Sequence, residues 1–168
     1  RNPATKHAVL RRGEDNRGTS WSCSHGVSRW YKDCGCHTGG EPGWNQKWRT
    51  GLRDALNNLG DKIDSIFNNE VDRIFSGNLD SHELLKKAGT VFCGKVEMKK
   101  FIEELQVNYG FSDQDKTQLS HLLTGMKYKH FSFTSCGWFF NEISGIEPRQ
   151  DIKYAIHAIT LFQQFTRE

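Results

Sequence analysis

The chain has 168 residues, of which 36% are hydrophobic and 12% aromatic, with a formal net charge of +3, a pI near 8.6 and a mean hydropathy of -0.69. That length suits one domain with a core of its own, and eleven Phe with five Trp exclude a disordered chain, which needs few aromatics. Lys and Arg are scattered among acids, which argues against a nucleic-acid footprint. No apolar run approaches the roughly 18 residues of a membrane span, and no secretory leader is visible.

Five cysteines make an odd and sparse set, whereas secreted disulfide scaffolds show even, dense ones. Reduced thiols and a cytoplasmic protein are therefore expected. The chain opens on Arg1 rather than on a methionine, from which a fragment or a processed product is expected.

In chain order, residues 1–18 are polar and basic and read as a linker or arm. The next thirty residues, TSWSCSHGVSRWYKDCGCHTGGEPGWNQKW, hold four of the five Trp, three of the five Cys and two of the seven His. His25 to Tyr31 suits a short helix with Val27, Trp30 and Tyr31 on one side, and Cys34 to Gly40 is too rich in glycine for regular structure. From Trp44 to Phe75 apolar residues recur at three- and four-residue steps, an amphipathic helix free to bend at Gly51 or Gly60. Gly77-Asn78 stops it. Asp80-Ser-His-Glu83 opens a second helix as a capping box. A third spans about Lys95 to Tyr109, with Gly110 as its stop. Ser112 caps a fourth, with Leu119, Leu122, Leu123 and Met126 inward.

Residues 127–136 read as an extended connection, and Trp138 to Glu142 as one helical turn. A last helix runs from Pro148 to Phe165, apolar on nearly every side and so expected to be the most central. The expected fold is all-α, a bundle of about five main helices with long Trp/Cys-rich loops. A second motif, TSCGWFFNEISGIE from Thr134, shares the composition of the first, and the two are expected to meet in space.

Cys23, Cys34, Cys36 and Cys136, with His25 and His37 nearby, offer enough donors for a tetrahedral metal site. Cys34-x-Cys36 is nonetheless shorter than the usual two-to-four-residue knuckle spacing. A structural metal such as zinc, a disulfide or redox pair, and plain burial against tryptophans all stay open, and no other cofactor is expected. Cys93 reads as a packing residue. Trp21 and Trp44 lie on glycine-flanked loops, where an exposed ring can stack on the apolar face of a sugar. His25, Asp33, Glu41, Glu142 and Glu147 are of a type suited to acid–base work, but no phosphate loop, Ser/His/Asp elbow or HExxH motif is present. No catalytic residue is assigned.

TSWSCSHGVSRWYKDCGCHTGGEPGWNQKWRTGLRDAL and TSCGWFFNEISGIEP resemble the uncharacterised helical domain that follows the barrel in bacterial and archaeal proteins related to glycoside hydrolase family 57. The resemblance runs from about Thr19 to the end. It implies a helical domain over residues 19–168, the C-terminal part of a larger glycoside hydrolase-like protein. The catalytic carboxylates of that family belong to the barrel, which this chain lacks, so a non-catalytic accessory domain beside the active-site mouth is implied. The motif positions carried over as able to face the barrel are Trp21, Cys23, His25, Trp30, Cys34, Cys36, Trp44, Cys136, Trp138 and Glu142. Of these, Trp21, His25, Trp30, Trp44, Trp138 and Glu142 would contact substrate. The implied partners are the barrel of the same polypeptide and an α-glucan or oligosaccharide, with neither nucleic acid nor membrane. The rival expectation is a metal-stapled or purely structural interaction domain that touches no sugar.

Overall fold

The computed structural model describes residues 23–166; the expected arm over 1–18 and the candidate Trp21 lie outside them. The fold is all-α. Helices α1 (Trp48–Phe75), α2 (Ser81–Phe92), α3 (Met98–Tyr109), α4 (Asp113–Phe131) and α5 (Ile146–Phe162) follow in order, with short 3-10 turns at Ser28–Trp30, Ser135–Trp138 and Gln163–Phe165. Among the described residues no helix is long and apolar enough to cross a membrane. The chain divides into two compact units. The first holds the described residues through Asp54 together with Ser135–Arg149, and the second holds Ala55–Thr134 with Gln150 onward.

The second unit carries the main core. Ile63, Phe67, Val71 and Phe75 of α1 join Leu84 and Ala88 of α2, Phe101, Ile102 and Leu105 of α3, and Leu119, Leu122, Leu123 and Met126 of α4. Burying each large side chain of this set contributes about 1.5–3 kcal/mol. The helix ends follow their capping residues. Asp80 accepts from the Glu83 N–H at 2.8 Å, and Ser112 and Asp115 form a reciprocal capping box at the start of α4. Gly110 closes α3 with a left-handed φ of 73°. Helix α1 stays continuous through both Gly51 and Gly60.

Three expectations are corrected. The connection over residues 127–136 is not extended: 127–131 complete α4, where Tyr128 and Phe131 meet edge to face across one helical turn at 6.4 Å, and Ser135 and Cys136 already belong to a 3-10 turn. Lys129 occupies the last turn of α4, where a helix favours positive charge. Helix α5 is not the most central element. Its buried residues are Pro148, Asp151, Ala155, Ala158 and Phe162, while Ile146, Ile156 and Ile159 stand exposed. The small alanines mark the inward stripe, and the bulky isoleucines face away from it. Cys93 is exposed at the C-cap of α2, not packed.

Candidate metal centre

The first unit is mostly loop. The helix expected from His25 to Tyr31 shrinks to the 3-10 turn, which buries Ser28 and Arg29 rather than an apolar face. Gly35 takes a φ of +76° and Gly40 one of +126°, conformations that side chains with a Cβ rarely adopt. With Gly35 left-handed between them, two cysteines one residue apart both reach a third. The Cys23 sulfur lies 3.6 Å from that of Cys34 and 3.6 Å from that of Cys36.

His25 completes the group. Its Nδ1 stands 3.6 Å from the Cys23 sulfur and 3.4 Å from that of Cys36, and all four donor atoms lie within 4.8 Å of one another. Tetrahedral zinc, with Zn–S about 2.3 Å and Zn–N about 2.0 Å, sets S···S edges of about 3.8 Å and S···N edges of about 3.5 Å. The donors are therefore already spaced for one metal ion. A disulfide needs sulfurs about 2.05 Å apart, and all five cysteines are free.

Electrostatics differ between the thiols. Burial pushes Cys23 up to about 11; the His25 backbone pulls it down, and the thiols of Cys34 and Cys36 add to the rise. Burial opposes ionisation of Cys34 as well. There the Cys36 backbone N–H, the Cys23 and Cys36 thiols and the Arg49 guanidinium outweigh it and hold the group below its ordinary value. Both protons must leave when a metal binds, since thiolate is the ligand.

Cys136 is not part of the group. It is exposed on the turn Ser135–Trp138, and His25 holds the place that the sequence reading gave it. His37 also lies outside, its Nδ1 accepting from the Gly39 N–H at 3.2 Å.

The two Trp/Cys-rich motifs do meet within this unit. Asn141 Oδ1 accepts from the Thr38 N–H at 2.8 Å, Trp30 Nε1 donates to the Ser135 carbonyl at 3.1 Å, and Trp138 Nε1 donates to the Arg49 carbonyl at 3.3 Å. Trp138 itself is fully buried, with the Arg53 guanidinium 4.2 Å over its ring. A ring so enclosed offers no face to a sugar, which corrects its expected substrate contact.

Trp44 is different: it is 47% exposed and borders two clefts. One, of about 310 Å3, is lined by Asp33, His37, Glu41, Trp44 and Gln46. The other, of about 330 Å3, includes Trp48, Asn141 and Glu142. Gly40 makes room for the ring, because a Cβ there would lie 2.9 Å from Trp44 Cε3. Glu142 accepts from Ser144 Oγ at 2.6 Å, and Trp30 is half-buried.

The sequence reading missed Arg49, which is fully buried. Its Nη1 donates to the Cys36 carbonyl at 3.0 Å and approaches the Cys34 sulfur at 4.0 Å, while Nη2 donates to the Phe140 carbonyl at 3.3 Å. Burial foremost, then the nearby Arg29, lowers its pKa. The signal was present: Arg49 stands three and seven residues before Leu52 and Leu56, on the same apolar stripe.

No curated protein matches the chain, and no solved structure does. One family model covers residues 44–168, from Trp44 to the end, and leaves the Cys/His group on the N-terminal side of the match. On that match the chain belongs to the family described as a domain of unknown function, DUF3536.

Proposed function

We propose that this chain is a metal-stapled helical domain in which Cys23, His25, Cys34 and Cys36 hold one structural zinc ion. The observation that carries this reading is the set of donor spacings, 3.6 Å between sulfurs and 3.4 to 3.6 Å from sulfur to nitrogen. Energetics favour it too. Ordering a loop costs about 1–2 kcal/mol per residue, and from residue 23 to 47 the only buried hydrophobic side chain is Cys23. A structural zinc site contributes on the order of 10–16 kcal/mol in small finger peptides, which offsets a substantial part of that ordering cost. Four protein ligands leave no open position, so the centre is structural rather than catalytic. Its thiols suit a reducing compartment such as the cytoplasm.

The test is native mass spectrometry and metal analysis of the protein purified under reductant and supplied with zinc. About one equivalent is expected, lost in Cys34→Ser and His25→Ala. Wild-type protein that retains no zinc rejects the reading.

A second reading rests on Trp44, whose half-exposed ring stands between two clefts bearing the carboxylates of Asp33, Glu41 and Glu142. An aromatic face beside acids is suited to a sugar ring and its hydroxyls. Together with the family 57 resemblance, this supports an accessory domain that lends Trp44 to an α-glucan held by a barrel elsewhere in the polypeptide. In the full polypeptide, Trp44→Ala would weaken glucan binding roughly tenfold, about 1.4 kcal/mol. Unchanged affinity with intact folding rejects it.

A further inference from the structure

We infer that Arg49 is the counter-cation of the metal–thiolate centre, a positioning residue that sets the charge balance of the loaded site. The inference rests on the metal reading and deepens it. Three thiolates, one neutral imidazole and one divalent ion carry a net charge of minus one, whereas the same side chains as thiols and imidazole carry none.

Arg49 is 0% exposed, and its hydrogen-bond partners are the Cys36 carbonyl, the Phe140 carbonyl and the Cys34 sulfur. Its buried Nε has no partner. Among the described residues no carboxylate forms an ion pair with it; Asp33 attracts it only at longer range, and the guanidinium of Arg29, itself 3% exposed, repels it more strongly. A buried cation without a contacting counter-charge is strongly disfavoured. The loaded centre supplies that charge at the sulfur Arg49 already faces. Arg49 also ties the carbonyl of one ligand residue, Cys36, and so orients the Cys-x-Cys turn while its N–H groups draw electron density from the Cys34 thiolate.

The experiment uses the full chain as wild type, Arg49→Met and Arg49→Lys, loaded with zinc or with cobalt(II) as a spectroscopic probe. Zinc affinity is read by chelator competition, and the electronic environment of the sulfurs by the thiolate-to-cobalt charge-transfer band. For folded Arg49→Met, zinc affinity should fall about 10–100-fold and the band should move to lower energy, because the sulfur loses its positive neighbour. Arg49→Lys keeps the charge and should stay within about threefold of wild type.

A folded Arg49→Met protein with wild-type affinity and an unmoved band overturns the inference while leaving the metal reading intact. If Arg49→Met loses its helical circular dichroism, Arg49→Lys carries the test, and a loss of about tenfold or more there overturns the charge role. Wild-type protein that takes up neither zinc nor cobalt overturns both readings.

Discussion

The sulfurs of Cys23 and Cys36 stand 3.6 Å apart although thirteen positions separate them in the chain. A shared metal would shield both from electrophiles, since a thiolate bound to a cation is less available for attack. Cys93 and Cys136 are exposed and outside the group. Alkylation with iodoacetamide, counted by mass, should therefore add two labels to the zinc-loaded protein and five after chelation under denaturant. Five labels on the loaded protein at the same rate as on the stripped one would show that no metal shields the cluster.

Asp115 links two devices in the second unit. Its carboxylate accepts from the Ser112 N–H at 3.3 Å and pairs with Arg73 at 2.8 Å. Burial works against its ionisation, but Ser112 and Arg73 outweigh it and hold the carboxyl below its ordinary value. A depressed folded pKa gives stability that is present above the unfolded value, about 3.9, and is lost as pH falls through the folded one. Asp115→Asn should cost about 1 kcal/mol at neutral pH, mostly through the cap. The gap in urea midpoint between variant and wild type should shrink below about pH 4. A gap of equal size at both pH values would mean that the carboxylate charge contributes nothing.

The ion pair of Lys129 and Asp64 should respond asymmetrically to mutation. The Lys129 ammonium meets both Asp64 oxygens, at 2.8 and 2.7 Å, and the lysine side chain is 12% exposed against 43% for the aspartate. Removing the acid strands a mostly buried cation, whereas removing the lysine leaves a carboxylate that water can reach. Asp64→Ala should cost about 1–3 kcal/mol and Lys129→Met about 1 kcal/mol or less. Thermal or urea unfolding that ranks them the other way would show that the buried lysine does not depend on its partner.

The legible parts of the fold were those governed by local chemistry. Asp80, Gly110 and Ser112 announce helix ends because capping and left-handed φ depend on a few adjacent atoms, and the long stripe ending at Phe75 announces α1 by its period. Residues 127–131 misled because alternating aromatics suit a strand, while the packing of Tyr128 and Phe131 against Tyr154 is a tertiary outcome. Helix α5 misled because apolar residues on every side do not reveal which side is covered. In the site, the thiols were legible as donors but their grouping was not. Which of Cys136 and His25 joins Cys23, Cys34 and Cys36 depends on how Gly35 and the 3-10 turn aim the chain. Arg49 was overlooked because a basic residue beside a helix start reads as surface.

Gly125 of α4 pits helix propensity against packing. Replacing a helical glycine by alanine favours the helix by about 1 kcal/mol. Here the added Cβ would lie 2.5 Å from Cε2 and 2.8 Å from Cδ2 of Phe162, a buried ring of α5 in the main core. The ring cannot yield freely, because Phe165 meets it edge to face at 6.2 Å. Overpacking of this kind costs about 1–3 kcal/mol and occasionally more, so the clash should win. Gly125→Ala is expected to lower stability by about 1–2 kcal/mol net with helical content unchanged. Gly89 of α2, whose added Cβ would meet nothing within 4 Å, is the control, and Gly89→Ala should stabilise by up to about 1 kcal/mol. Urea unfolding of both variants measures the contrast. If Gly125→Ala stabilised the protein as much as Gly89→Ala, the close approach of α4 and α5 at this position would be disproved.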